Sequence, residues 1–235
     1  MGLRCMTDKR SQRKCVAILG GSFDPVHLGH IAVAERVYEC LAPDELRFMP
    51  CKVPPHKQGF YSDEVHRLAM LELALREHPF TIETHELMQK STSYSVQSMR
   101  ALREIEGSET ALLFVIGFDS LCGLHTWWHW KELFDLVNLV VVARPGSEDK
   151  KPALDAEVIA YLEDRKCNAS ELAQSAHGKI ALLPSSEKHI SSSELRSALA
   201  SHSDGLPSHY ARQLDTTVAD YIEQHQLYSR PMCQI

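Results

Sequence analysis

The chain has 235 residues, 44% of them hydrophobic and 24% charged, and a formal net charge of −6 at pH 7. This length and apolar content suffice for a sizeable buried core, in one large α/β domain or two small ones. The acidic balance excludes a general nucleic-acid binder, which needs a basic face for backbone contacts, and no apolar run approaches membrane-spanning length.

In chain order, Met1 to Lys14 is polar and basic (Arg4, Lys9, Arg10, Arg13, Lys14) and lacks the apolar stretch of a secretory signal. It reads as a disordered N-terminal extension over residues 1–15. Strands are expected at Val16–Leu19, Glu45–Met49, Phe80–Glu83, Ala111–Gly117, Leu139–Ala143 and Ile180–Leu183. Between them Ile31, Ala34, Val37, Tyr38 and Leu41 recur at helical spacing; so do Val65, Leu68, Leu71 and Leu75, and then Val96, Met99 and Leu102. Pro145 to Pro152 reads as a surface loop and Ser191 to Leu227 as a helical C-terminal segment. Strand–helix alternation of this kind predicts an α/β fold with a doubly wound, mostly parallel sheet. In such a sheet the ligand sits beyond the carboxyl ends of the strands, at a switch in strand order. Seven scattered cysteines without a C-x-x-C pair make neither a disulfide framework nor a zinc site, and reduced thiols in a cytoplasmic protein fit best.

The run Gly20-Gly21-Ser22-Phe23-Asp24-Pro25-Val26-His27-Leu28-Gly29-His30 closes the first strand and opens the first helix. Glycines let backbone approach a bulky anion, and a helix N-terminus offers N–H groups and partial positive charge. With His27 and His30 at that mouth, the run points to phosphate; the plain alternative is a connection with two incidental histidines. Zinc on His27, His30, Asp24 and His56 is conceivable, but a glycine-rich helix N-terminus suits an anion better than a cation, so no metal ligand is assigned.

Four further clusters follow predicted strand ends. Val53-Pro54-Pro55-His56-Lys57 is a rigid turn that presents a cation and an imidazole, or a solvated turn only. In Ile116-Gly117-Phe118-Asp119-Ser120 the carboxylate of Asp119 could accept from a ribose or base amine, or cap a helix. Trp127, Trp128 and Trp130 cannot all face one core, so at least one stands toward a cleft or the surface. Ile190-Ser191-Ser192-Ser193-Glu194-Leu195-Arg196 has capping-box spacing and could equally grip phosphate oxygens through its hydroxyls and the Arg196 fork.

The runs G-G-S-F-D-P-V-H-L-G-H and I-S-S-S-E-L-R together resemble the H-x-G-H nucleotidyltransferase superfamily. V-P-P-H-K at 53–57, E-L at 86–87, S-Y-S at 93–95, I-G-F-D-S-L at 116–121, Trp127 and A-R-P-G at 143–146 come in the order of the bacterial nicotinate-nucleotide adenylyltransferases. The likeness spans Val16 to Tyr228 and implies one nucleotidyltransferase domain over residues 16–228, of Rossmann-like fold.

That resemblance implies transfer of the adenylyl group of ATP to nicotinate mononucleotide, giving deamido-NAD and pyrophosphate in NAD biosynthesis, with Mg²⁺ accompanying ATP. His27 and His30 would be catalytic. Gly20, Gly21, Ser22, Phe23, Asp119, Ser191, Ser192 and Arg196 would bind ATP. His56, Lys57, Tyr94, Ser95, Trp127 and Arg144 would bind the mononucleotide. The attacking phosphate is already mostly dianionic at pH 7, so donors and cations are needed rather than a strong base. An adenylyltransferase of the same superfamily acting on nicotinamide mononucleotide or another phosphate monoester is the alternative. A dinucleotide-binding module would need G-x-G-x-x-G after the first strand, where this chain has G-G-S-F-D-P. No heptad repeat marks an oligomer, and the oligomeric state stays open.

Overall fold

A computed structural model describes residues 13–52, 61–88, 94–143, 154–184, 190–201 and 207–229. Six strands form one sheet: β1 (Cys15–Gly21), β2 (Glu45–Pro50), β3 (Thr81–Ile82), β4 (Ala111–Gly117), β5 (Asn138–Val142) and β6 (Ile180–Leu183). Every pairing is parallel, and the spatial order is β3-β2-β1-β4-β5-β6. Successive strands are therefore added outward from β1 on one side and from β4 on the other, and this switch in strand order opens a crevice at their carboxyl ends.

Helices cover both faces. They are α1 (Leu28–Leu41), α2 (Glu64–Leu75), α3 (His85–Met88), α4 (Ser95–Glu106), α5 (Phe118–Cys122), α6 (Leu133–Leu136), α7 (Ala156–Leu162), α8 (Ala169–Leu172), α9 (Ser192–Ser201), α10 (Ser208–Ala211) and α11 (Thr216–Gln224). Short polar caps start several of them: Asp63 accepts the His66 N–H at the head of α2, and Asp215 the Thr217 N–H at the head of α11.

The pleat of the central strands divides the core in two. Ala17, Leu19, Leu113, Val115, Val140 and Val142 face one side, with Ile31, Ala34, Met70, Leu71, Val218 and Ile222 from α1, α2 and α11. Val16, Ile18, Leu112, Phe114, Leu139 and Val141 face the other, with Val96, Met99, Leu102 and Val158 from α4 and α7. A strand buried on both faces reads as a continuous apolar run, which is why β1, β4 and β5 were legible.

Two expectations shift. The fold begins earlier than the end of the expected extension: β1 starts at Cys15, the Lys14 carbonyl accepts from Ala111, and Lys14 Nζ lies 2.9 Å from carboxylates of both Glu45 and Glu106. In α2 the buried stripe is Arg67, Met70, Leu71, Ala74 and Leu75, while Val65 is 71% exposed. Arg67 satisfies its charge inside the fold, so the helix turns Val65, and not the guanidinium, toward water.

Candidate active site

The crevice between β1 and β4 holds a cavity of about 360 Å³. Gly20, Gly21 and Ser22 form one wall, Phe114, Ile116 and Gly117 of β4 the floor, and Tyr94, Ser95, Trp127 and Trp128 the far side. Ring contacts order that side: Tyr94 and Trp128 lie 5.0 Å apart, and Trp127 lies 6.4 Å from Phe114. The cavity thus has a glycine-lined end suited to an anion and an aromatic end suited to a flat ring.

The residues after β1 are tightly determined. A Cβ on Gly21 would stand 2.8 Å from the Phe23 ring, so only glycine lets that ring lie against the strand. Phe23 itself takes a left-handed φ of 46° and is fully buried, packed on Phe48 at 5.4 Å and edge-on to His30 at 5.0 Å. Its side chain braces His30, and what it can offer a nucleotide is backbone.

His27 is the N-cap residue of α1 and His30 lies in its first turn. Their rings stack, with centroids 3.7 Å apart and planes 21° from parallel. The His27 N–H donates to His30 Nδ1 at 3.3 Å. A neutral imidazole that accepts at Nδ1 carries its proton on Nε2, so His30 is held in the tautomer that donates from Nε2. Gly29 makes the stack possible: a Cβ there would lie 3.0 Å from two atoms of the His27 ring and 3.2 Å from Ile190. The backbone at this helix mouth is partly spoken for, since the Leu28 N–H donates to the Gln213 carbonyl at 2.9 Å.

The second motif reaches the same loop. Ser192 Oγ donates to the Pro25 carbonyl at 3.1 Å, and Arg196 donates to the Asp24 carbonyl at 2.6 Å and to Ser193 Oγ at 3.0 Å. The Ser191 carbonyl accepts from Leu195 as α9 begins. Asp119 lies exposed in the first turn of α5, next to Ser120 of the cavity wall. Phe118 beside it is buried in the core. His56, Lys57 and Arg144 lie outside the described residues.

Other contributors had no site role assigned from sequence: Trp128 was one of three tryptophans, Glu86 part of the E-L motif, and Arg67 was not singled out. Trp128 and Glu86 line the cavity, and the buried Glu86 carboxylate accepts from Ser98 Oγ at 2.6 Å. Arg67 is fully buried and donates to the carbonyls of Ser22 at 2.8 Å and Cys51 at 2.9 Å, so it ties the ends of β1 and β2 together. Burial presses its pKa downward, opposed by the nearby Cys51 and Asp24. Its signal was a charged residue in an apolar stripe with Leu71 and Ala74, at i, i+4 and i+7. Trp128 gave no periodic signal.

A six-stranded parallel sheet in this order, with a glycine loop on the crevice and a histidine pair and a serine–arginine helix start meeting the continuation of that loop, defines a Rossmann-like nucleotidyltransferase. Residues 18–198 match the cytidylyltransferase-like family model. A protein of Herminiimonas arsenicoxydans named "Probable nicotinate-nucleotide adenylyltransferase" is 34% identical over 93% of this chain and 99% of its own length. One of the same name from Pseudoalteromonas atlantica is 38% identical over 92% and 95%. Among solved structures, the nicotinic acid mononucleotide adenylyltransferase of Plasmodium falciparum complexed with NaAD has a similar fold, with a TM-score of 0.71 and 18% identity over 94% of this chain and 100% of that one. The chain belongs to the nicotinate-nucleotide adenylyltransferase family, within the cytidylyltransferase-like group.

Proposed function

We propose that this protein transfers the adenylyl group of ATP to nicotinate mononucleotide, giving deamido-NAD and pyrophosphate. The observation that carries the reading is the double use of the stretch from Gly20 to His30. Its first residues wall the aromatic cavity, and its last hold the stacked histidines against a loop that Arg196 also grips.

The pyridine ring belongs at the aromatic end, among Tyr94, Ser95, Trp127 and Trp128. His56, Lys57 and Arg144 are assigned to the mononucleotide phosphate by position in the motifs. ATP lies along Gly20, Gly21, Ser22 and the Phe23 backbone, with Asp119 toward its adenosine and Ser191, Ser192 and Arg196 toward the departing phosphates. Charge on the α-phosphate oxygens grows during in-line displacement, and donors fixed in advance stabilise it without reorganising. His30 is built for this, because its Nδ1 is already occupied and its Nε2 is the donor. His27 works from the same stack.

Mg²⁺ enters with ATP as part of the substrate. Asp24 follows the glycines in the same loop, and its carboxylate already accepts from Tyr61 N–H, Ser62 N–H and Oγ, and Tyr228 OH. Its donors suit a buried anion rather than a metal cage, so the ion rests on the phosphates. The same reading makes residues 16–228 one catalytic domain and places the protein in the cytoplasm; no helix among the described residues is long and apolar enough to cross a membrane.

The test is pyrophosphate release from MgATP with nicotinate mononucleotide, against the amide mononucleotide. Release with the acid form is expected, and preference for the amide would favour the alternative acceptor. His30→Ala should cut kcat by about 10²–10³-fold, as removal of one transition-state donor does, with far smaller changes in KM. An unchanged kcat with a raised KM would remove His30 from the transition state.

A further inference from the structure

The Asp24 carboxylate is 2% exposed, in a loop whose task is to meet phosphates. A bare buried anion there would repel the substrate and be costly to hold. It is not bare. Oδ2 accepts from the Tyr61 N–H at 2.9 Å, and Oδ1 accepts from Ser62 Oγ at 2.7 Å, the Ser62 N–H at 3.3 Å and Tyr228 OH at 2.6 Å. Ser62 Oγ and Tyr228 OH are themselves 3.0 Å apart, which closes a triangle. Tyr228 stands 204 residues downstream of Asp24, beyond α11 and close to the end of the described chain.

The network reaches the phosphate side through Arg196. The Tyr61 ring lies 4.4 Å beneath its guanidinium, and the carbonyl of Asp24 itself takes a guanidinium hydrogen bond. One residue therefore sets the platform under Arg196 with its carboxylate and the height of Arg196 with its carbonyl.

The chain turns sharply to bring Tyr228 onto Asp24. Gln226 takes a left-handed φ of 51° as the Leu227 N–H reaches back to the Ile222 carbonyl at 3.0 Å, a common close of a helix, and Tyr228 itself has a φ of 64°, uncommon for a bulky residue. Burial, then the Asp24 charge, pushes the tyrosine hydroxyl well above its ordinary pKa, so it stays a proton donor at any working pH.

We propose that Tyr228 is a positioning residue for the adenylyl-transfer site: its hydroxyl locks the Asp24 carboxylate, and through Tyr61 fixes the Arg196 guanidinium where the leaving phosphates are held. This rests on the functional reading above. Tyr228 does not touch the reacting atoms, and it is remote in sequence from every phosphate motif.

The experiment compares steady-state pyrophosphate release and thermal unfolding of the full-length wild type, Tyr228→Phe, Ser62→Ala, the double variant and Leu227→Ala. Leu227 packs on the core beside Tyr228 and serves as a packing control. Tyr228→Phe is expected to lower kcat about tenfold with KM for nicotinate mononucleotide within twofold of wild type. Ser62→Ala should do the same, and the double variant little more, because both hydroxyls serve one carboxylate. Leu227→Ala should lower the unfolding temperature while kcat stays within twofold. Wild-type kcat in Tyr228→Phe, or an equal kcat loss in Leu227→Ala, would overturn the positioning role. Should Tyr228→Phe fail to fold, Ser62→Ala decides alone on the same kcat criterion. A wild type that releases no pyrophosphate refutes the functional reading instead, so the two failures are separable.

Discussion

Replacing Gly29 by alanine adds one methyl group at the tightest point of the histidine pair. The new Cβ would stand 3.0 Å from His27 Cε1 and Nδ1 and 3.2 Å from Ile190 Cβ. Carbon contacts are comfortable at about 3.5–4.0 Å, so the His27 ring has to retreat by about 0.5 Å. It cannot do so alone, because it is stacked on His30 at 3.7 Å. The pair moves together, and His30 Nε2 moves with it. A misplacement of 1 Å can cost about 10²-fold in rate, so half of that points to about a tenfold loss of kcat. Stability should fall as well. Alanine in a helix gains about 0.5–1 kcal/mol over glycine, while overpacking costs about 1–3 kcal/mol. The net change runs from about zero to a destabilisation of about 2.5 kcal/mol. Pyrophosphate release at saturating MgATP and mononucleotide gives kcat, and urea unfolding gives the stability change. A folded Gly29→Ala protein with wild-type kcat would refute the argument that His27 and His30 must be held in this stack.

Two further predictions concern what holds the site in place. Arg67→Met removes the guanidinium hydrogen bonds to the part-buried carbonyls of Ser22 and Cys51; at about 1.5–3 kcal/mol for a hydrogen bond to a charged group, a loss of about 3 kcal/mol is expected by urea unfolding. A loss below about 1 kcal/mol would mean that water takes the place of the guanidinium. The acid side of the stability profile should depend on the cluster of Lys14, Glu45, Arg47 and Glu106. Lys14, then Arg47, holds Glu45 below its ordinary value of 4.5. Burial pushes Glu106 upward, but Lys14 and Arg47 outweigh it and keep its carboxyl low as well. The folded state therefore binds fewer protons than the unfolded chain, so this stabilisation is present above about pH 4.5 and is lost as pH falls below that. Melting temperatures at pH 7, 5 and 3.5 should show Glu106→Gln less stable than wild type at pH 7 and converging with it at pH 3.5; curves that stay parallel would contradict the assignment.

Much was legible because the central strands are buried on both faces. β4 and β6 have the bounds expected from their apolar runs, β2 runs one residue further, and β1 and β5 differ by one or two residues at each end. Edge strand β3 is shorter than expected: it pairs with β2 through only two residues, while the flanking Phe80 is held by core packing and Glu83 by a hydrogen bond to the Phe48 carbonyl. In α2 the expected Leu71 and Leu75 are buried, but Val65 is exposed and Arg67 takes a place in the stripe, because hydropathy treats an arginine as solvent-facing whereas Arg67 finds carbonyl partners inside. Within the site, Gly20, Gly21, Ser22, Tyr94, Ser95 and Trp127 line one cavity although they come from three parts of the chain.

The sequence by itself determined the sheet, the glycine–histidine mouth of the first helix and the serine–arginine start of a later one, because each depends on local backbone needs or short-range periodicity. Only the tertiary structure decided which of these meet. That Gly29 also has to clear Ile190, that Arg67 joins two strand ends, and that Tyr228 closes on Asp24 all depend on contacts between chain segments far apart in sequence. Such pairings leave no local pattern, because each partner taken alone satisfies the propensities of an ordinary helix or loop residue.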